Sequence, residues 1–173
     1  MSNTNDSSKS QSEQSPPHDD VTASDDALKS MKFDGVRIDD ATYGFGVYAT
    51  RSFDAGEMFA HVEGEVIDDP AYSSDYCIDL GEPLSLVPNA PFKFLNHSCE
   101  PNCELVHYFD HNDINRGIWV ETLRDIEPGE QLTIDYAWPA DSAIPCLCGA
   151  DKCRGWIVHP EEIHEVEKEQ EQQ

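Results

Sequence analysis

Apolar positions along this chain fall in short clusters with period-two alternation and almost nowhere at helical spacing. Val36-Arg37-Ile38 alternates, Gly44-Phe45-Gly46-Val47-Tyr48-Ala49 is a glycine turn running into an apolar strand, and Glu65-Val66-Ile67 stops at the breaker Asp68-Asp69-Pro70. Two stronger strands, Gly117 to Leu123 and Gln131 to Tyr136, are rich in β-branched and aromatic residues, with the turn Glu127-Pro128-Gly129-Glu130 between them. Only Ala90 to Asn96 predicts a brief helix, and no internal repeat is visible. The pattern predicts a mostly β domain of small sheets, too irregular for a sandwich, with a cysteine-rich C-terminal lobe.

Composition sets the boundaries. Residues 1–30 are Ser, Asp, Gln and Pro with little to bury, and residues 161–173 are a Glu and Gln tail, so both ends are expected to be disordered. The folded part is then residues 31–160, room for a single domain. No window approaches the roughly 18 apolar residues of a membrane span, and the N-terminus lacks a secretory signal, so an intracellular protein without a membrane partner is expected.

The formal charge is −24, and residues 31–160 hold 23 acidic against 8 basic side chains, so the tails do not carry it all. Direct binding of nucleic acid is not expected, because phosphate neutralisation needs clustered Lys and Arg that this sequence lacks. Such a surface attracts a basic peptide. It accompanies a saline habitat or plain solubility equally well.

Five of the six cysteines fall in two places, Cys99 and Cys103 in Asn96-His97-Ser98-Cys99-Glu100-Pro101-Asn102-Cys103, and Cys146, Cys148 and Cys153 in a C-x-C-x4-C run. Inside a reducing compartment this favours a metal site over disulfides. Three late thiolates leave one tetrahedral position of a zinc ion open, and Cys99 or Cys103 can supply it.

Order along the chain adds more. Gly44-x-Gly46-Val47 is followed by Asp54-Ala55-Gly56-Glu57, Gly64-Glu65-Val66-Ile67, Asn96-His97-Ser98-Cys99-x-Pro101-Asn102, Glu130-x-Leu132-Thr133-x-Asp135-Tyr136 and Cys146-x-Cys148-Gly149-x3-Cys153-Arg154-Gly155. This succession, from about Val36 to Val158, closely resembles the SET-domain protein lysine methyltransferases with a post-SET zinc loop. The resemblance implies a small stand-alone SET protein, with a SET domain over residues 31–140 and a post-SET zinc loop over residues 141–160. It further implies small twisted β-sheets and a C-terminal pseudoknot, in which the last segment threads under a loop to bring the Asn96 and Tyr136 motifs together.

It implies S-adenosylmethionine as methyl donor and a protein lysine as acceptor, in a basic tail such as a histone's. A neutral amine is needed at pH 7, which costs roughly 4.6 kcal/mol from a reference pKa near 10.4 unless an apolar channel lowers that pKa. By the family pattern Tyr136 orients the amine at the channel's inner end, and Tyr76 lines the channel as a second catalytic-side tyrosine. Asn96, His97 and the backbone of Gly44, Phe45 and Gly46 would hold the cofactor, with Leu147 and Trp156 folded over it. The resemblance selects Cys99 with Cys146, Cys148 and Cys153 as ligands of one structural Zn2+, leaving Cys103 as a small hydrophobe and Cys77 as a core thiol.

Three positions depart from the family's usual pattern. His61-Val62 stands where Glu-Tyr is usual, Lys93 replaces an arginine, and Ile134 occupies a place often held by Phe or Tyr. An isoleucine there has no hydroxyl to crowd the channel, so di- or trimethylation is permitted. A monomer is expected, working in the cytoplasm if the source is prokaryotic and at chromatin in a nucleus if it is eukaryotic or viral. Two other readings compete: a SET-like binding module without catalysis, and a small zinc-binding interaction protein.

Overall fold

The computed structural model describes residues 24–72, 74, 76–81, 83–108 and 117–171. Twelve short strands follow one another: β1 (Val36–Asp40), β2 (Phe45–Ala49), β3 (Met58–His61), β4 (Gly64–Asp68), β5 (Ile78–Asp79), β6 (Leu84–Pro88), β7 (Asn96–His97), β8 (Cys103–Tyr108), β9 (Gly117–Thr122), β10 (Gln131–Ile134), β11 (Ile144–Pro145) and β12 (Trp156–Ile157). They form four sheets, ordered β1-β2-β10-β7, β3-β9-β8, β4-β6-β5 and β11-β12. The mostly β architecture of small sheets is the one the period-two pattern predicts. Where the strands were expected they form, except that β10 ends at Ile134, before Asp135 and Tyr136.

The core gathers one face of each larger sheet. Val47, Val120, Ile126 and Leu132 are fully buried, with Phe53, Ile118, Leu95 and Cys103 packed among them. One glycine is dictated by close approach: a Cβ on Gly64 would lie 2.2 Å from the carbonyl oxygen of Val87, so β4 can pair with β6 at that register only with glycine there.

Sheet order also produces the juxtaposition that a pseudoknot requires. β10 pairs antiparallel with β2 on one side and parallel with β7 on the other, with Thr133 opposite Asn96 and Ile134 opposite His97. A parallel partner two residues long gives few ladder bonds, and a buried side chain supplements them. Asn102, 4% exposed, accepts the Thr133 N–H at 2.8 Å and donates Nδ2 to the Gln131 carbonyl at 2.8 Å. Its amide thus acts as a further stretch of strand beside β10.

Three expectations change. The predicted helix at Ala90 to Asn96 contracts to one 3-10 turn, Phe92–Phe94, because Asn96 and His97 are taken up by β7. The expected N-terminal tail contains the helix α1 (Asp25–Ser30), started by Ser24, whose hydroxyl accepts the Ala27 N–H, and pinned to β1 by Lys29 against Asp40 at 2.6 Å. Residues 1–23 of that tail lie outside the described residues. The expected C-terminal tail contains α2 (Ile163–Glu171), which docks through buried Val166 and through Glu162, just before the helix, which accepts the Ala140 N–H at 2.8 Å. In both cases one or two anchoring contacts order a polar segment that its composition alone describes as unable to fold. No helix among the described residues is long and apolar enough to cross a membrane.

Replacing Asn102 with leucine leaves a buried N–H and a buried carbonyl of β10 without partners, and the expected loss is about 2–4 kcal/mol of unfolding free energy. Urea denaturation followed by circular dichroism measures it. A loss below about 1 kcal/mol would show that Asn102 does not hold β10.

Candidate active site

The β7–β10 pair delivers two sequence motifs to one place. From β7, Asn96 donates its side-chain amide to the Phe45 carbonyl at 2.9 Å, tying the glycine turn to the pair. His97, whose side chain is 4% exposed, accepts the Tyr136 N–H on Nδ1 at 3.2 Å. That bond assigns the tautomer: Nδ1 carries a lone pair, so Nε2 carries the hydrogen, and it points at Cys99 Sγ 3.4 Å away. Burial is the main cause that lowers the His97 pKa, keeping the ring neutral, although Asp135 opposes it.

Tyr136 stands between two cavities. The first, about 280 Å³, has Val62, Tyr76, Leu95, Ile134 and Trp138 among its walls. The second, about 390 Å³, runs past Tyr43, Asn96, His97, Thr133 and Leu147. Tyr136 is the residue that both linings share. Its ring is fixed from several sides: the hydroxyl donates to the Leu95 carbonyl at 2.8 Å, and the Trp138 and His97 rings lie 5.5 Å and 5.4 Å away.

Beside the second cavity four thiols converge. Cys99 Sγ is 3.7 Å from Cys146 Sγ and 4.0 Å from Cys153 Sγ, and the Cys99, Cys146 and Cys148 sulfurs with His97 Nε2 lie within 4.8 Å of one another. Sulfur atoms at the corners of a tetrahedron with metal bonds of about 2.3 Å stand roughly 3.8 Å apart, so the spacing fits a zinc ion. Main-chain N–H groups already point at the sulfurs, Arg154 to Cys99 and Gly155 to Cys153, each at 3.4 Å. Burial pushes the Cys99 and Cys146 thiols up. Burial also raises Cys148, but hydrogen bonds from the Cys99 and Ala150 amides and from the Cys146 and Cys153 thiols outweigh it and bring Cys148 down to about 6. A cation entering this cluster would displace the protons that the other thiols hold.

The sequence-expected residues are distributed unevenly over these features. Tyr136, Asn96, His97 and Leu147 line the second cavity, and Tyr76 lines the first, half exposed, with Lys93 Nζ 5.1 Å above its ring. Gly44, at φ 69°, Phe45, and Gly46, where a Cβ would meet Gln131 Nε2 at 2.5 Å, are not among the residues that line either cavity; the Phe45 carbonyl reaches the second one only through its bond from Asn96. Trp156 pairs with Pro145 across the β11–β12 ribbon, while its neighbour Ile157 meets the cavity. Cys103 is fully buried, its thiol pushed up to about 12 by burial, and Cys77 donates to the Ser74 carbonyl at 3.0 Å while facing the first cavity. His61 is exposed on β3 with its ring 5.3 Å from Trp119.

Sequence reasoning assigned no role to Asp135 or Arg154. Asp135 Oδ1 accepts from Arg154 Nη2 at 2.7 Å and from the Ala137 N–H at 3.1 Å, with His97 Nδ1 at 3.5 Å. The signal was an arginine adjoining the last cysteine of an acidic chain's C-terminal lobe.

Comparison with known proteins places this geometry. The SET domain family matches residues 44–137. The histone-lysine N-methyltransferase trithorax of Drosophila virilis is 35% identical over 134 residues, covering 66% of this chain and 3% of that protein. Histone-lysine N-methyltransferase 2B of Homo sapiens is 33% identical over 135 residues, covering 68% of this chain and 5% of that protein. The chain therefore spans a small part of these relatives' length. Among solved structures, KRYPTONITE in complex with mCHG DNA and SAH superposes with a TM-score of 0.58 at 27% identity, covering 69% of this chain and 28% of that one. The family match runs from the glycine turn to the residue after Tyr136, taking in both segments joined by the β7–β10 pair, and the chain belongs to the SET domain family.

Proposed function

We propose that this domain is a protein-lysine N-methyltransferase, moving the methyl group of S-adenosylmethionine to the ε-amine of a lysine in a basic, histone-like protein tail. The observation that carries the reading is that two separately lined cavities share Tyr136 as their common wall. A reaction between a donor and an acceptor held in separate pockets needs such an aligned junction. The relatives named histone-lysine N-methyltransferases support a protein substrate and a nuclear place of work. The acidic chain suits a basic tail.

In this reading the first cavity takes the lysine and the second takes the donor. When bound, S-adenosylmethionine supplies an electrophilic methyl group on a positive sulfonium. Val62, Leu95 and Ile134 strip water from the lysine stem and disfavour the charged ammonium, against the pull of Asp79 and Asp135 on the same wall, where Asp135 is already engaged by Arg154. Tyr136 commits its proton to the Leu95 carbonyl, so its oxygen faces the reacting groups as an acceptor that orients the amine. Asn96 holds the glycine turn of Gly44, Phe45 and Gly46 beside the donor pocket, and His97 fixes the Tyr136 backbone. Leu147, 68% exposed at the rim of the second cavity, covers the donor. Trp156 acts from behind it by fixing the ribbon.

Zinc belongs to this reading as a structural ion held by Cys99, Cys146, Cys148 and Cys153, because His97 carries its hydrogen on the nitrogen that faces the thiols and so stands as a donor to Cys99 instead of a ligand. It would tie β7 to a lobe whose own ribbon is only two residues per strand.

Tyr136→Phe is expected to lower turnover about 100-fold or more while the dissociation constant for S-adenosylmethionine, read by calorimetry, stays within about threefold. Turnover equal to that of the parent enzyme would refute the assignment of Tyr136. Elemental analysis of the purified protein should find one zinc per chain, and stripping it with a chelator should lower the melting temperature, since protons and metal compete for the same thiols. No metal, with unchanged melting, would remove zinc from the account. With Ile134 on the lysine cavity wall, mass spectrometry at saturating donor should find di- or trimethyl-lysine, and Ile134→Tyr should shift product toward the monomethyl form. A parent enzyme that stops at monomethyl-lysine would overturn this.

A further inference from the structure

Just past β10 the chain has to aim Tyr136 without ladder bonds, with the His97 ring of β7 accepting the Tyr136 N–H and the turn beyond it needing a restraint of its own. Ladder pairing ends at Ile134, yet two residues later the tyrosine must sit squarely between two cavities. The turn that follows carries Ala137 at φ 48°, the left-handed region that a side chain with a Cβ disfavours. Ala137 is the sole non-glycine residue at positive φ among the described residues. A conformation of that kind persists where its surroundings over-determine it.

Asp135 supplies the restraint, and Arg154 holds Asp135. One carboxylate oxygen accepts both the Ala137 N–H, at 3.1 Å, and Arg154 Nη2, at 2.7 Å. With side chains 16% and 22% exposed, this is the most shielded pair between a carboxylate and a lysine or arginine among the described residues. Shielding makes the attraction stronger than at the surface. The guanidinium enters deeply enough that its Nε is buried, and Nη2 carries the bond to the carboxylate. Its main chain is held from the other end: the Arg154 N–H donates to Cys99 Sγ at 3.4 Å.

We propose that Arg154 is a positioning residue for Tyr136: its side chain locks the Asp135–Ala137 turn that aims the tyrosine, and its main chain anchors that lock to the thiol cluster. The proposal rests on the assignment of Tyr136 to methyl transfer. It gives the C-terminal lobe a part in setting the geometry of the reaction, beyond covering the donor. Arginine suits the task because its planar fork reaches a carboxylate with directional bonds, which the point charge of lysine does less well.

The test has two independent readouts on the zinc-loaded full chain. In Arg154→Met, residue-resolved amide hydrogen exchange without donor should show the Ala137 and Tyr136 amides exchanging about tenfold faster or more, with Ile118 and Val120 within about twofold and Arg154→Lys in between. Unchanged exchange at Ala137 and Tyr136 overturns the proposal, whatever the activity. With an unmodified histone H3 tail peptide, Arg154→Met should lose about tenfold or more in kcat while the peptide KM stays within about threefold. Adding Ala137→Gly, which takes the left-handed conformation freely, should raise kcat more in the Arg154→Met background than beside Arg154. Equal effects in the two backgrounds also overturn it. If Arg154→Met fails to retain zinc, Asp135→Asn breaks the same pair without touching the cysteine loop, and the same exchange criterion decides. A parent protein that protects Ala137 through Arg154 but transfers no methyl group would instead sink the functional reading and leave the positioning intact.

Discussion

Everything at this site depends on a parallel pairing only two residues long. Thr133 and Ile134 of β10 lie against Asn96 and His97 of β7, and because successive strand residues face opposite ways, Thr133 meets the second cavity while Ile134 meets the first. A register slip of one residue would exchange those faces and turn the Thr133 hydroxyl toward the first cavity. Two ladder positions are too few to specify a register alone. Buried Asn102 bonds β10 from the flank, and the Ser98 N–H continues the pairing to the Ile134 carbonyl at 2.9 Å.

How much of this was legible beforehand follows from the range of the forces involved. Strands set by alternation, such as those at Val36, Phe45 and Gln131, were readable because side-chain period is a local property. The meeting of Asn96 with Tyr136 came from resemblance and not from pattern, since a two-residue parallel strand leaves no periodic trace. The short helix at Phe92 was overestimated because β7 claimed Asn96 and His97, whose own helical preference is weaker than that of Lys93 and Leu95 before them. Both polar tails were read too simply, because one buried Val166 or one lysine against Asp40 is invisible in composition.

Within the candidate site, residues that a motif marks were singled out and those that act through a partner were not. Tyr136 and the cysteines announce themselves by spacing. Asp135 and Arg154 are 19 positions apart in an order that predicts nothing about each other, and only the folded thiol loop brings them to 2.7 Å. His97 shows the intermediate case: the motif marked it, but its hydrogen bonds reach the Tyr136 backbone and Cys99 in addition to the cavity wall.

The separate linings of the two cavities have a kinetic meaning. Because Tyr136 is their one shared residue, the contents of either can be exchanged without dismantling the walls of the other. On the proposed reading, a peptide seated in the first cavity can remain while a spent donor leaves the second and a fresh one replaces it. Successive transfers to one side chain then need a single encounter with the protein substrate, and the residence time of the peptide, set against the exchange rate next door, fixes how many are completed.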